Sequence, residues 1–104
     1  MEEFLDEWNG YAFTGEFLGR RDGGEIGFEY VAYVFDAHGF LFAQRLYATD
    51  EFLAAQGLDL KSGPYRISGL LQSHAVDKAK QRLRKRDYNP SEEYEHQLVH
   101  ESQV

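Results

Sequence analysis

The chain has 104 residues, a formal charge of −7 and no cysteine. Hydrophobic residues make up 42% and aromatics 15%, which excludes a disordered tail, a collagen-like repeat and a coiled coil. No apolar run approaches the roughly 18 residues that span a membrane, and zero cysteines remove disulfides, thiolate metal sites and thiol catalysis together. The opening MEEFLDEWNG carries acids where a secretory signal carries bases, so a cytoplasmic, soluble single domain is expected, with residues 1–10 and 100–104 as flexible ends.

Alternation with period two marks Tyr11 to Arg20 as a first predicted strand, with Tyr11, Phe13 and Phe17 on one side. Arg21-Asp22-Gly23-Gly24 reads as a turn, because tandem glycines supply positive φ angles. Glu25 to Ala37 is dense in β-branched and aromatic residues and reads as a second strand. Asp36-Ala37-His38-Gly39 breaks it, and Phe40 to Ala48 pairs back as a third strand in a hairpin. Both parities of these two strands carry large apolar groups. A closed or curled sheet, or one whose outer face binds something, accounts for that.

Thr49 or Asp50 caps a short predicted helix through Ala55, with Gly57 as its stop. After a turn at Lys61-Ser62-Gly63-Pro64, Tyr65 to His74 alternates again and reads as a fourth strand, with Gly69 marking a bend. The stretch beyond His74 fits either a weak helix face (Val76, Ala79, Leu83) or a long basic hairpin loop. Asn89-Pro90 precedes either a helix or a fifth strand around Tyr94 to Val99, and the strand is preferred.

The charge is uneven along the chain. Residues 1–60 hold 12 acids and 3 bases, residues 61–88 hold 2 acids and 8 bases, and residues 89–104 hold 4 acids and no base. Most of the bases fall in DKAKQRLRKRD, which is either a solvated surface or a phosphate contact patch.

Three strands, a helix, a fourth strand and a fifth give the order of a mainly β, five-stranded OB-fold Greek-key barrel. TGEFLGRRDGGEIGFEYVAYVF, with Leu18-Gly19-Arg20, resembles the opening of bacterial single-stranded DNA-binding proteins. Lys61-Ser62-Gly63 and Ile67-Ser68-Gly69-Leu70-Leu71-Gln72 resemble a later segment of that family, and the primosomal replication proteins share the pattern. The likeness covers residues 14–74. HESQV departs from the family, whose acidic and hydrophobic tip recruits partners.

The resemblance implies non-catalytic binding of single-stranded DNA or RNA, DNA preferred. Phe42 matches the family's stacking position, and Lys78, Lys80, Arg82, Arg84, Lys85 and Arg86 fall where its basic loop lies. Tyr33 and Phe35 add rings, and Arg20 and Arg21 end the first predicted strand beside them. Exposed aromatic faces also ask for a homo-oligomer. The alternative is a protein-interaction module or inhibitor whose acidic, aromatic-rich face docks a basic protein partner. His38, His74, His96 and His100 have no cysteine partners, so no metal, cofactor or catalytic group is expected.

Overall fold

A computed structural model describes residues 2–21, 23, 26–58, 61 and 63–100. Strands β1 (Glu3–Trp8), β2 (Tyr11–Arg21), β3 (Gly27–Asp36) and β4 (Gly39–Thr49) form an antiparallel meander. Helices α1 (Asp50–Ala55) and α2 (Pro64–Lys85) then carry the chain back, and β5 (Glu93–Leu98) pairs parallel to β4. The sheet order is β1-β2-β3-β4-β5, open at both edges.

The fold is therefore α/β, a mixed open sheet with one long helix, and the OB-fold barrel is overturned. The segment expected as a fourth strand is the first half of α2. Over ten residues Tyr65, Ile67 and Gly69 alternate like a strand. Over the whole element Ile67, Leu71, Ala75, Ala79 and Leu83 recur every four residues, and these are its buried positions. Ala75 and Ala79 let the helix backbone approach the sheet closely. Pro64 opens the helix at a position that needs no N–H donor, and Arg82, Arg84 and Lys85 in its last turn complement its dipole. The basic stretch, which by sequence fits either a weak helix face or a hairpin loop, is the C-terminal half of a helix about 33 Å long.

The first ten residues, expected as a flexible end, contain β1. Asn9 and Gly10 both have positive φ (51° and 83°), the two-residue reversal that joins β1 to β2. The expected turn at residues 21–24 falls on Asp22 and Gly24, and the HESQV tip on residues 101–104, which all lie outside the described residues. Ser62, from the turn expected before Pro64, does so as well. The α1 expectation holds in detail: the Thr49 hydroxyl accepts the Phe52 N–H at 3.2 Å. Residues 93–98 form the fifth strand, with Tyr94, His96 and Leu98 on its more buried side.

One sheet face packs under α2. Tyr30, Ala32, Leu46 and Ala48 meet Leu53, Ile67, Leu71 and Ala75, while Phe13, Val34, Leu41 and Phe42 meet Ala79 and Leu83. Among the described residues no helix is long and apolar enough to cross a membrane.

Candidate interaction face on the open side of the sheet

The face turned away from α2 has no element over it among the described residues. Pairing register builds it in rows, because directly opposed residues share a side. One row runs Phe4, Thr14, Tyr33, Ala43, Glu93 across all five strands. The next runs Glu7, Ala12, Phe35, Phe40. Phe4 is 65% exposed and Phe40 45%, large values for rings on a short edge and a sheet surface. Phe40 meets Tyr33 and Phe35 edge-on, with centroids 6.3 and 6.0 Å apart. The Thr14 hydroxyl in this row is buried without a hydrogen-bond partner.

Carboxylates surround the rings. Burial, followed by Glu16 and Glu2, pushes the Tyr33 phenol above its ordinary value, and Glu93 adds to this against the lowering pull of Arg45. The same face carries an ion-pair ladder further along. Arg45 bonds Glu93 and lies 3.3 Å from Glu29. Arg21 reaches Glu95 at 2.9 Å and Glu29 at 3.5 Å, over the ring of Tyr47. The arginines of this face are thus held by acids, while the aromatic half is open.

Three β-bulges decide which residues are on this face, and each shifts the parity that simple alternation implies. In β1 the register shifts between Phe4 and Asp6, so that Phe4 and Glu7 share the face. In β4 the register shifts opposite Val34 and Phe35, so that Leu41 is an extra residue. Phe40 then takes the open face and Phe42 the covered one. Phe42, the expected stacking ring, is fully buried, 5.0 Å from the Tyr88 ring and 5.9 Å from Tyr94. In β2 the shift between Phe17 and Gly19 sends Arg20 towards α1, where it pairs bidentately with Asp50 at 3.1 and 2.8 Å. Arg21 takes the open face instead.

The remaining candidates lie on α2, across the sheet from Tyr33 and Phe35. Arg82 is 16% exposed at its side chain. It donates to Gln44 Oε1 at 2.7 Å and to the Asp87 carbonyl at 3.1 Å, and stacks 3.9 Å over Tyr94. Lys80 pairs with Asp6 at 3.0 Å. Lys80 and Arg84 sit 5.6 and 5.1 Å from the Trp8 ring, which stacks on Tyr11. Lys78, Lys85 and Arg86 carry no ion pair among the described residues. No single surface therefore gathers the rings and bases named from the sequence. Phe4 and Glu7 are the face residues that sequence reading missed. Asn9-Gly10 was the signal for β1, and hence for Phe4 and Glu7.

Among the described residues no cluster of three or more His, Asp or Glu could hold a metal ion. Compared with protein-family models, characterised proteins and solved structures, the chain matches none.

Proposed function

We propose that this protein is a non-catalytic protein-interaction module, of which an inhibitor is one form, whose open sheet face docks a basic protein partner. The observation that carries the reading is the patch of rings over two rows, exposed Phe4 and Phe40 with half-buried Tyr33 and Phe35, set among Glu2, Glu7, Glu16 and Glu93. Aromatic anchors in an acidic surround give an interface both apolar burial and electrostatic selection of a cationic partner. A second copy brings the same carboxylates and the same −7 charge, so a heterologous partner is favoured over self-association. The cysteine-free composition suits a reducing, cytoplasmic setting.

Single-strand binding is the competing reading. It has in its favour Lys78, Arg84 and Lys85 on α2 and Arg86 at its C-terminal cap, and against it the distance of the open rings from those bases. Two measurements separate the readings. A photo-crosslinking residue at position 40 should capture a basic protein in cells, and the same residue at Ser73 on α2 should not. Labelled oligo-dT at 50 mM salt should show no saturable binding. Capture only from position 73, or salt-sensitive oligonucleotide binding lost on changing Lys85 and Arg86 to Ala, would overturn the proposal.

A further inference from the structure

The buried row of α2 is flanked by two lines of side chains. On the β1 side Lys80 meets Asp6 at 3.0 Å, and Asp77 lines the same groove. On the β5 side lie His74, Lys78 and Arg82, spaced four residues apart. Tyr94, His96 and Leu98 are the half-buried residues of β5 that face them. Arg82 stacks 3.9 Å over Tyr94 at one end. At the other, the His74 ring lies 6.0 Å from that of Phe52, which packs with Leu98 on one core cluster. The helix therefore runs antiparallel to β5. Its four-residue step of about 6 Å matches the two-residue strand step of about 6.6 Å, which sets Lys78 level with His96.

The side chains that bring charge to this cleft are all bases, and His74, Lys78, Arg82 and His96 are each half-buried. Lys78 has no ion pair among the described residues. Arg82 uses Nε and Nη1 on Gln44 and the Asp87 carbonyl, and its Nη2 makes no hydrogen bond among the described residues. The acids of the surrounding elements turn elsewhere. Glu93 and Glu95 bond Arg45 and Arg21 on the opposite face, Asp50 of α1 pairs with Arg20, and Asp77 is on the β1 side. Asp87 approaches Arg82 at 3.7 Å beyond the helix end and is 77% exposed. Crowded bases without a counter-charge repel one another. Burial, followed by Lys78, His74 and Arg82, accordingly holds the His96 ring below its ordinary 6.5. An anion in the cleft would reverse that balance.

We propose that the cleft between α2 and β5 is a binding site for a phosphate-type dianion, with Lys78, His74 and His96 as its ligands and Arg82 at its end. A tetrahedral dianion suits the cleft better than a carboxylate, because its several oxygens can accept from α2 and β5 at once. The site lies on the covered side of the sheet and is independent of the docking face.

Ring NMR signals of the histidines read the site directly, with His96 assigned by its loss in His96→Gln. In inorganic phosphate, His96 should titrate about half a pH unit higher than in chloride of the same ionic strength, because a bound anion favours its charged form. His38, in the β3–β4 turn, should not move. Half-saturation should fall in about the millimolar range expected of one small anion. Lys78→Met, which keeps the apolar stem, and His74→Gln should each weaken binding about fivefold. Lys85→Met, which removes the same charge from α2 outside the cleft, should leave it unchanged. Arg82 is kept, because it holds Gln44. Phenyl phosphate distinguishes two sources of the dianion: competition assigns the ester group of a larger molecule, and exclusion assigns the free ion. An unmoved His96, an equal shift in chloride, or a Lys78→Met protein that binds like the parent would overturn the site. Tighter binding of the phosphodiester thymidylyl-thymidine than of phosphate would overturn the dianion assignment in favour of a nucleic-acid backbone.

Discussion

The hydroxyl of Tyr30 lies against Gly15 on the neighbouring strand, in the space that a side chain at that position would need. A Cβ on Gly15 would also come within 2.7 Å of Leu5 Cδ1 and 2.9 Å of Tyr30 Cε1. The phenol is 1% exposed and its oxygen has no hydrogen-bond partner. Gly15→Ala should therefore destabilise the fold by about 1–3 kcal/mol through overpacking. Tyr30→Phe should be neutral or stabilising by up to about 1 kcal/mol, because it removes a buried unsatisfied group. Combining the two should recover part of the alanine's cost. Urea unfolding of the three variants checks this, and a strongly destabilised Tyr30→Phe would contradict it.

The same phenol predicts behaviour at high pH. Burial, and then Glu3, pushes it up to about 12 from its ordinary 10. A folded value above the unfolded one contributes stability below pH 10, and that contribution is lost as pH rises towards 12. The parent protein should lose stability relative to Tyr30→Phe across that interval. Parallel unfolding curves at pH 9.5 and 11.5 measure it.

Phe40 and Phe42, two residues apart, should behave oppositely. Phe42→Ala empties a fully buried site against Tyr88 and Tyr94 and should cost about 3–5 kcal/mol. Phe40→Ala should change stability by no more than about 1 kcal/mol and act on partner capture instead. Thermal unfolding, and partner capture by a photo-crosslinking residue placed at position 4 of the same face, separate the two effects. A large drop in melting temperature for Phe40→Ala would place that ring in the core.

Arg82 and Gln44 join α2 to the sheet through a buried polar contact. Gln44 is fully buried, and its Oε1 accepts the Arg82 Nε–H. Arg82→Met leaves that oxygen without its donor and should cost about 1–3 kcal/mol. Gln44→Leu combined with Arg82→Met should cost less than the sum of the single changes, because the pair is lost together. A double-mutant cycle reads the coupling. Lys85→Ala, exposed on the same helix, should move stability by about 0.5 kcal/mol or less.

His96 gives the chain a sensitivity to mild acid. Burial, followed by the nearby Lys78, His74 and Arg82, lowers it from its ordinary 6.5. The fold thus favours the neutral ring. That contribution is complete above pH 6.5 and is lost as pH falls through the lower folded value. The melting temperature of the parent should drop more between pH 7.5 and 5 than that of His96→Gln. Equal drops would show that other groups carry the acid response.

Much of the meander was legible because it is local. Aromatic and β-branched runs broken by His38-Gly39 located β2, β3 and β4 to within about two residues, and Thr49 announced α1 through its own cap. The β1 strand was missed although Asn9-Gly10 marks the reversal. The eight residues before it, half of them acids, lack the apolar alternation of a half-buried strand, since an edge strand buries little. The α2 helix was misread because a ten-residue window holds fewer than three turns, too few for its four-residue row of buried positions to outweigh the alternation of Tyr65, Ile67 and Gly69.

The candidate face shows the limit more sharply. Sequence alone determined that β3 and β4 are apolar on both sides, that acids dominate the first half, and that the bases cluster after residue 60. Only the tertiary structure decided which apolar side α2 covers, which cations are occupied, and that Phe40 rather than Phe42 is left uncovered. The physical reason is that a strand has a period of two. A single extra residue at Leu41, or a bulge before Gly19, moves every later side chain to the opposite face, and such a bulge exists only in the pairing with the neighbouring strand.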